Sequence, residues 1–178
     1  MQQLVISAVG PDRPGLVDHL AQVISDCGGN IADSRMVNLG GQFAMVMEVE
    51  IPEDNVPDAR ERIPDSGRSI GMTVTVCLAP AGGGETVTPG VPYRIRTYSM
   101  DQQGIVHRIT HQLHRRGVNI EELQTRLEHA AHSGAPLFGM DMVVTVPQSV
   151  SLKDLRDDLE SLCDEMNCDL DIQGALQT

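Results

Sequence analysis

Hydrophobic positions along this chain switch repeatedly between the two-residue alternation of strands and the three-to-four-residue spacing of helices. Residues 4–9 are a short β-branched run, and residues 10–15 are a turn cluster of Gly, Pro and Asp. Leu16, Leu20, Val23, Ile24 and Cys27 then recur at helical spacing, and Gly28-Gly29 can take the positive φ that ends a helix. Residues 31–39 and 42–51 flank Gly40-Gly41 as a hairpin, in which Phe43, Met45, Met47, Val49 and Ile51 alternate with Glu48 and Glu50. A second helix is expected over 56–62, short or broken because Pro64 and Gly67 follow. Met72, Val74, Val76 and Leu78 alternate with polar residues and close the unit as a strand. The predicted order is βαββαβ, an α+β, ferredoxin-like unit with both helices on one face of an antiparallel sheet.

The order then returns. Asp12, Gly15 and Asn30 recur 89 positions later as Asp101, Gly104 and Asn119. A constant offset across a helix-length stretch means two copies of one supersecondary unit. Phe43, Met45, Met47 and Pro52 match Phe138, Met140, Met142 and Pro147 at an offset of 95, so the second copy gains six residues. These fall in residues 128–136, with His129, His132, Ser133, Gly134 and Pro136, and predict a longer hairpin loop. The second copy reads as a strand over 93–99, a helix over 104–116, hairpin arms over 119–128 and 137–146, a helix over 151–166 and a strand around Leu170 and Ile172. Ser151 with Asp154 resembles a capping box, ahead of an apolar stripe of Leu152, Leu155, Leu159, Leu162 and Met166. Residues 80–90, with Pro80, Gly82-Gly83-Gly84 and Pro89, read as a flexible linker between domains over 1–79 and 91–178. They are not a phosphate loop, because no Lys-Ser/Thr pair or helix signal follows.

Charge narrows the function. The net charge of −12 repels phosphate backbones, and aromatic residues make up only 2% with no Trp, so direct nucleic-acid binding is disfavoured. The four cysteines lack CxxC spacing and read as reduced thiols, which points to the cytoplasm. The N-terminal residues suggest neither a signal peptide nor a membrane span.

Candidate chemistry sits at the repeated turn. Gly15 and Gly104 allow close backbone approach, free amides at a helix start favour a carboxylate, and Asp12 can pair with an ammonium. Asn30 and Asn119 offer amide donors and an acceptor. The same residue types are those that turns and caps favour without any ligand, so a purely structural reading stands beside the functional one.

A βαββαβ unit with an Asp-x-x-Gly-hydrophobic-hydrophobic turn opening its first helix, and Asn-Ile after that helix, resembles the ACT domain. The strongest match is Gly10-Pro11-Asp12-Arg13-Pro14-Gly15-Leu16-Val17, and the resemblance spans nearly the whole chain, twice. Two such domains with no catalytic domain attached resemble the glycine cleavage system transcriptional repressor group. The resemblance implies a regulatory, non-enzymatic protein that binds an amino acid, glycine among the candidates, where ACT sheets pair side by side. Such pairing can occur within one chain through the Gly-rich linker or between two chains, and a homodimer is the expectation, with a protein partner such as a transcription regulator; the alternative is a ligand-free oligomerisation scaffold. Carried over by position, the ligand-binding residues are Asp12, Pro14, Gly15, Leu16 and Asn30, and Asp101, Gly104, Ile105 and Asn119. Asp12 stands where several amino-acid-binding members carry Asn, and Gln102-Gln103 replace Arg13-Pro14, which makes the second turn less rigid.

Other groups carry less. His107, His111 and His114 share one helical face, which reads as solvated because no HExxH motif or carboxylate partner accompanies it. Met45, Met47, Met140 and Met142 read as sheet core. No nucleophile-base pair, phosphate loop or metal motif can be assembled, so no catalytic residue, metal or cofactor is expected.

Overall fold

Alternation places Leu4, Ile6 and Ala8 on the same side of the first strand, and all three are fully buried. They form the centre of one core in the computed structural model, which describes residues 1–79, 89–129 and 134–175. The chain divides into two units, Met1–Thr86 and Val87–Thr178.

The first unit contains β1 (Gln2–Pro11), α1 (Leu16–Asp26), β2 (Asn30–Leu39), β3 (Gln42–Ile51), α2 (Val56–Ser69) and β4 (Thr73–Leu78). Its sheet order is β2-β3-β1-β4, and every neighbouring pair is antiparallel. The second unit repeats this with β5 (Gly90–Met100), α3 (Ile105–Arg115), β6 (Asn119–His129), β7 (Pro136–Pro147), α4 (Leu152–Glu165) and β8 (Cys168–Gly174), ordered β6-β7-β5-β8. Each unit is the expected ferredoxin-like βαββαβ fold. Both helices cover one face of each sheet, where Leu20, Ile24 and Ile63 meet Met47 in the first core and Ile109, Leu113 and Leu159 meet Met142 in the second. Full burial of each such side chain contributes about 1.5–3 kcal/mol relative to exposure. The repetition extends to irregularities, since the register slips between Ile31 and Asp33 and, 89 positions on, between Ile120 and Glu122.

α2 departs from its sequence expectation. It runs through Pro64 to Ser69 instead of ending near 62. Burial outweighs the lost backbone hydrogen bond, because Ala59, Ile63 and Gly67 all face the core. Gly67 is required by close packing: a Cβ there would lie 2.2 Å from Val74 Cγ2.

β5 begins at Gly90, three residues earlier than expected, and includes Pro92. The Pro92 carbonyl accepts from Ala175 N, so its missing N–H falls where β8 has already ended. The arms of the second hairpin extend to His129 and from Pro136. Gly82-Gly83-Gly84 and Pro80 of the expected linker, and His132 and Ser133 of the inserted loop, lie outside the described residues. Among the described residues no helix is long and apolar enough to cross a membrane.

Candidate functional site

Gly15 starts α1 with φ +92°, and Gly104 starts α3 with φ +91°. No side chain caps either helix start, and the first α-helical bonds run from His19 N to Gly15 O and from Arg108 N to Gly104 O, each 2.9 Å. A Cβ at either glycine would meet nothing within 4 Å. The left-handed backbone, not crowding, therefore selects glycine.

Around the first turn, Asp12, Gly15, Leu16 and Met36 help line a shallow pocket of about 280 Å³. Asp12 N donates to Gly41 O at 2.9 Å, and the Asp12 carboxylate accepts from Asn38 Nδ2. Leu16 is buried beneath the turn, whereas Pro14 is exposed and stands outside the pocket lining. In the second turn Asp101 N donates to Pro136 O at 3.1 Å, and Ile105 is buried as Leu16 is.

The asparagines occupy the other end of the fold. Asn30 opens β2 beyond the C-terminus of α1, so the 11-residue helix separates it from Gly15 by roughly 16 Å of axial rise. Asn119 is related to Gly104 in the same way. One unit thus brings Asp12, Gly15 and Leu16 together, and Asp101, Gly104 and Ile105 together, but leaves each asparagine apart. Asn30 is exposed, while Asn119 Nδ2 donates to Glu121 Oε1 at 2.7 Å. Asn119 also lines a pocket of about 440 Å³ with His107, His111 and His114, which replace Asp18, Gln22 and Ser25 of the first copy. The His107 and His111 ring centroids are 5.7 Å apart. Among the described residues, no group of three or more His, Cys, Asp or Glu is placed to hold a metal.

Two features escaped the sequence reading. Arg13 Nη2 donates to the Ile70 carbonyl at 2.5 Å, and Gln102 Nε2 donates to the Met166 carbonyl at the same distance. Ile70 and Met166 are the C-caps of α2 and α4, so unlike side chains make one equivalent tie. The second feature is the open face of the second sheet, where Asp141 accepts from Arg94 Nε and Nη2 at 2.7 and 3.0 Å and from Arg96 Nε at 3.2 Å. Hydrogen bonding from Arg94, aided by Arg96, holds the Asp141 carboxyl below its usual range against partial desolvation. Alternation along two strands, β5 and β7, puts these charges on one face, but only register shows which residues meet.

The buried thiols of Cys163 and Cys27 are poor nucleophiles. Burial pushes the Cys163 thiol up to about 12, with Cys168 reinforcing the shift, and burial also raises Cys27.

A family model described as ACT domain matches residues 2–76. The glycine cleavage system transcriptional repressor of Escherichia coli K12 is 26% identical over 164 residues, covering 92% of this chain and 85% of that protein. A UPF0237 protein of Methanopyrus kandleri is 35% identical over 78 residues, covering 43% of this chain and 87% of that protein. The crystal structure of an unknown protein from Galdieria sulphuraria superposes with a TM-score of 0.83 at 26% identity, covering 98% of this chain and 99% of that one.

Proposed function

Because this chain belongs to the ACT-domain family and carries the fold in both units, we propose that it is a non-enzymatic regulatory protein that senses a free amino acid and signals through protein contacts. The observation that carries this reading is the repeated turn, in which Gly15 and Gly104 open helices whose first amides no side chain caps. Such amides favour a carboxylate, and the adjacent Asp12 or Asp101 favours an ammonium. A free amino acid carries both groups. Glycine is the first candidate, in keeping with the E. coli relative's name.

A ligand touching both a turn and an asparagine needs a second ACT unit running antiparallel alongside the first. In this reading the sheets pair side by side, and the assembly is a homodimer acting in the cytoplasm. With a net charge of −12, an effect on transcription requires a DNA-binding partner instead of direct contact with nucleic acid. Glycine cleavage genes are the proposed target.

The test is isothermal titration of the full chain with glycine and then serine, beside a variant carrying Asp12→Ala and Asn30→Ala. Saturable heat lost in the variant supports the reading and puts the ligand at the first turn. If heat survives there but disappears in Asp101→Ala, Asn119→Ala, the second copy carries the site.

A ligand-free scaffold is the second reading, favoured by the apolar edge strand β2, where Met36, Val37 and Leu39 are more than half exposed. A stable dimer that gives no heat with any amino acid would select it.

A further inference from the structure

The two sheets share a register but differ sharply in chemistry on the face away from their helices. One row across the first sheet is Val37, Ala44, Val9, Thr73, set by the pairings Val37↔Ala44, Val9↔Ala44 and Val9↔Thr73. The corresponding row of the second sheet is Arg126, Gly139, Tyr98, Asp169. In the next row Val46 and Ser7 give way to Asp141 and Arg96. The centre of this face is mostly apolar in the first copy, with Arg35 at the β2 end of the second row, and is charged in the second copy.

This face holds a pocket of about 470 Å³, within the range typical of small-molecule sites. Gly139 is its floor. Its φ is not positive, and an added Cβ would make only ordinary contact, 3.4 Å from the Tyr98 ring. Ala44 occupies the same place in the first sheet, so the fold does not demand glycine there. A glycine inside a strand that neither backbone nor packing requires is suited to close approach by a ligand.

The charges form a gradient along the row. Arg126 stands at one end and Asp169 at the other, three strand spacings or roughly 14 Å apart between backbones. Among the described residues neither side chain makes a hydrogen bond or ion pair, whereas Asp141 between them is already taken by Arg94 and Arg96. A solvated sheet face also carries charges, but that reading leaves both the glycine floor and the two unpaired, opposite ends without a role. A dianion would face Asp141, Asp169 and Asp171, and a simple cation would face the arginines. A molecule with a charge of each sign at opposite ends matches the row.

We propose that the open face of the second sheet binds a small linear zwitterion whose charges lie at opposite ends, as in an ω-amino acid or a short peptide, with its carboxylate on Arg126, its ammonium on Asp169 and its body over Gly139 beside Tyr98. The site is separate from the turns and does not depend on ligand binding there.

The chain has no Trp and only two Tyr, so a Tyr93→Phe background leaves Tyr98 as the sole strong intrinsic fluorophore. The full chain in that background is titrated with linear ω-amino acids and short glycine peptides, beside the α-amino acids, and with the amide and the N-acetyl derivative of each one that responds. A saturable Tyr98 response is expected, weakened at least tenfold by either derivative. Arg126→Val and Asp169→Thr introduce residues the first sheet already carries in this register, and each is expected to weaken the response at least tenfold. Asp12→Ala is expected to leave it unchanged. If no ω-amino acid or short peptide moves the Tyr98 signal, or if both strand variants respond like the parent, the proposal is overturned. Titration heat lost in the Asp12→Ala, Asn30→Ala variant while Tyr98 stays silent would overturn this site and leave the turn reading standing.

Discussion

Gln102 does in the second unit what Arg13 does in the first: each reaches from the turn before a first helix to the carbonyl that caps the second helix. The bonds are both 2.5 Å, to Met166 and Ile70. Each ties the candidate ligand turn to a helix packed on the same sheet. Removing either tie frees a helix-terminal carbonyl and loosens the turn. Arg13→Ala and Gln102→Ala should each lower stability by about 0.5–1.5 kcal/mol, read from urea unfolding midpoints, while Arg13→Gln should lose less.

Conformation alone fixes glycine at the turns. Gly15→Ala should cost about 1–2 kcal/mol, the penalty of a side chain in the left-handed region, since nothing crowds the site. Gly15→Asn should cost less, because a short polar side chain tolerates that region better. Thermal melts of the three proteins test this order.

Thr97 is 3% exposed, and its hydroxyl finds no protein partner beneath the helices of the second unit. The first unit has Ala8 at the matching position, also fully buried. Thr97→Val keeps the shape and removes the lone hydroxyl. It should raise stability by about 1 kcal/mol, measured by urea unfolding.

Acid should weaken the second sheet through Asp141. A carboxylate whose folded pKa is depressed adds stability above its unfolded pKa, and that stability is lost as the pH falls through the folded value. Wild type should therefore lose more stability than Asp141→Asn between about pH 7 and about pH 3. Equal losses in urea titrations at the two pH values would remove this role. Because Asp141 and Arg94 are partly exposed, added salt should shrink the difference.

The thiols should separate by burial. Cys77 is exposed, and Cys27, Cys163 and Cys168 are buried. A chromogenic disulfide reagent should modify Cys77 quickly in the native protein and the other three only after urea is added. Rapid native modification of Cys163 would contradict its raised pKa.

Sequence by itself determined the duplicated βαββαβ order, the faces of the strands and the two turns. Each depends on local period or on a residue type with a special backbone, and the offset from Asp12 to Asp101 makes the repeat explicit. Local rules failed at Pro64, where burial of Ile63 and close packing of Gly67 on Val74 carried α2 past its expected end. Tertiary structure decided which residues share a site. It set Asn30 and Gly15 at opposite ends of α1, since a helix converts short sequence separation into axial distance. It also made Arg13 and Gln102 equivalent despite their chemistry, and aligned Arg126, Gly139, Tyr98 and Asp169 across four strands. Pairing register, which joins residues far apart in the chain, produces such a row, and no periodicity along one strand contains it.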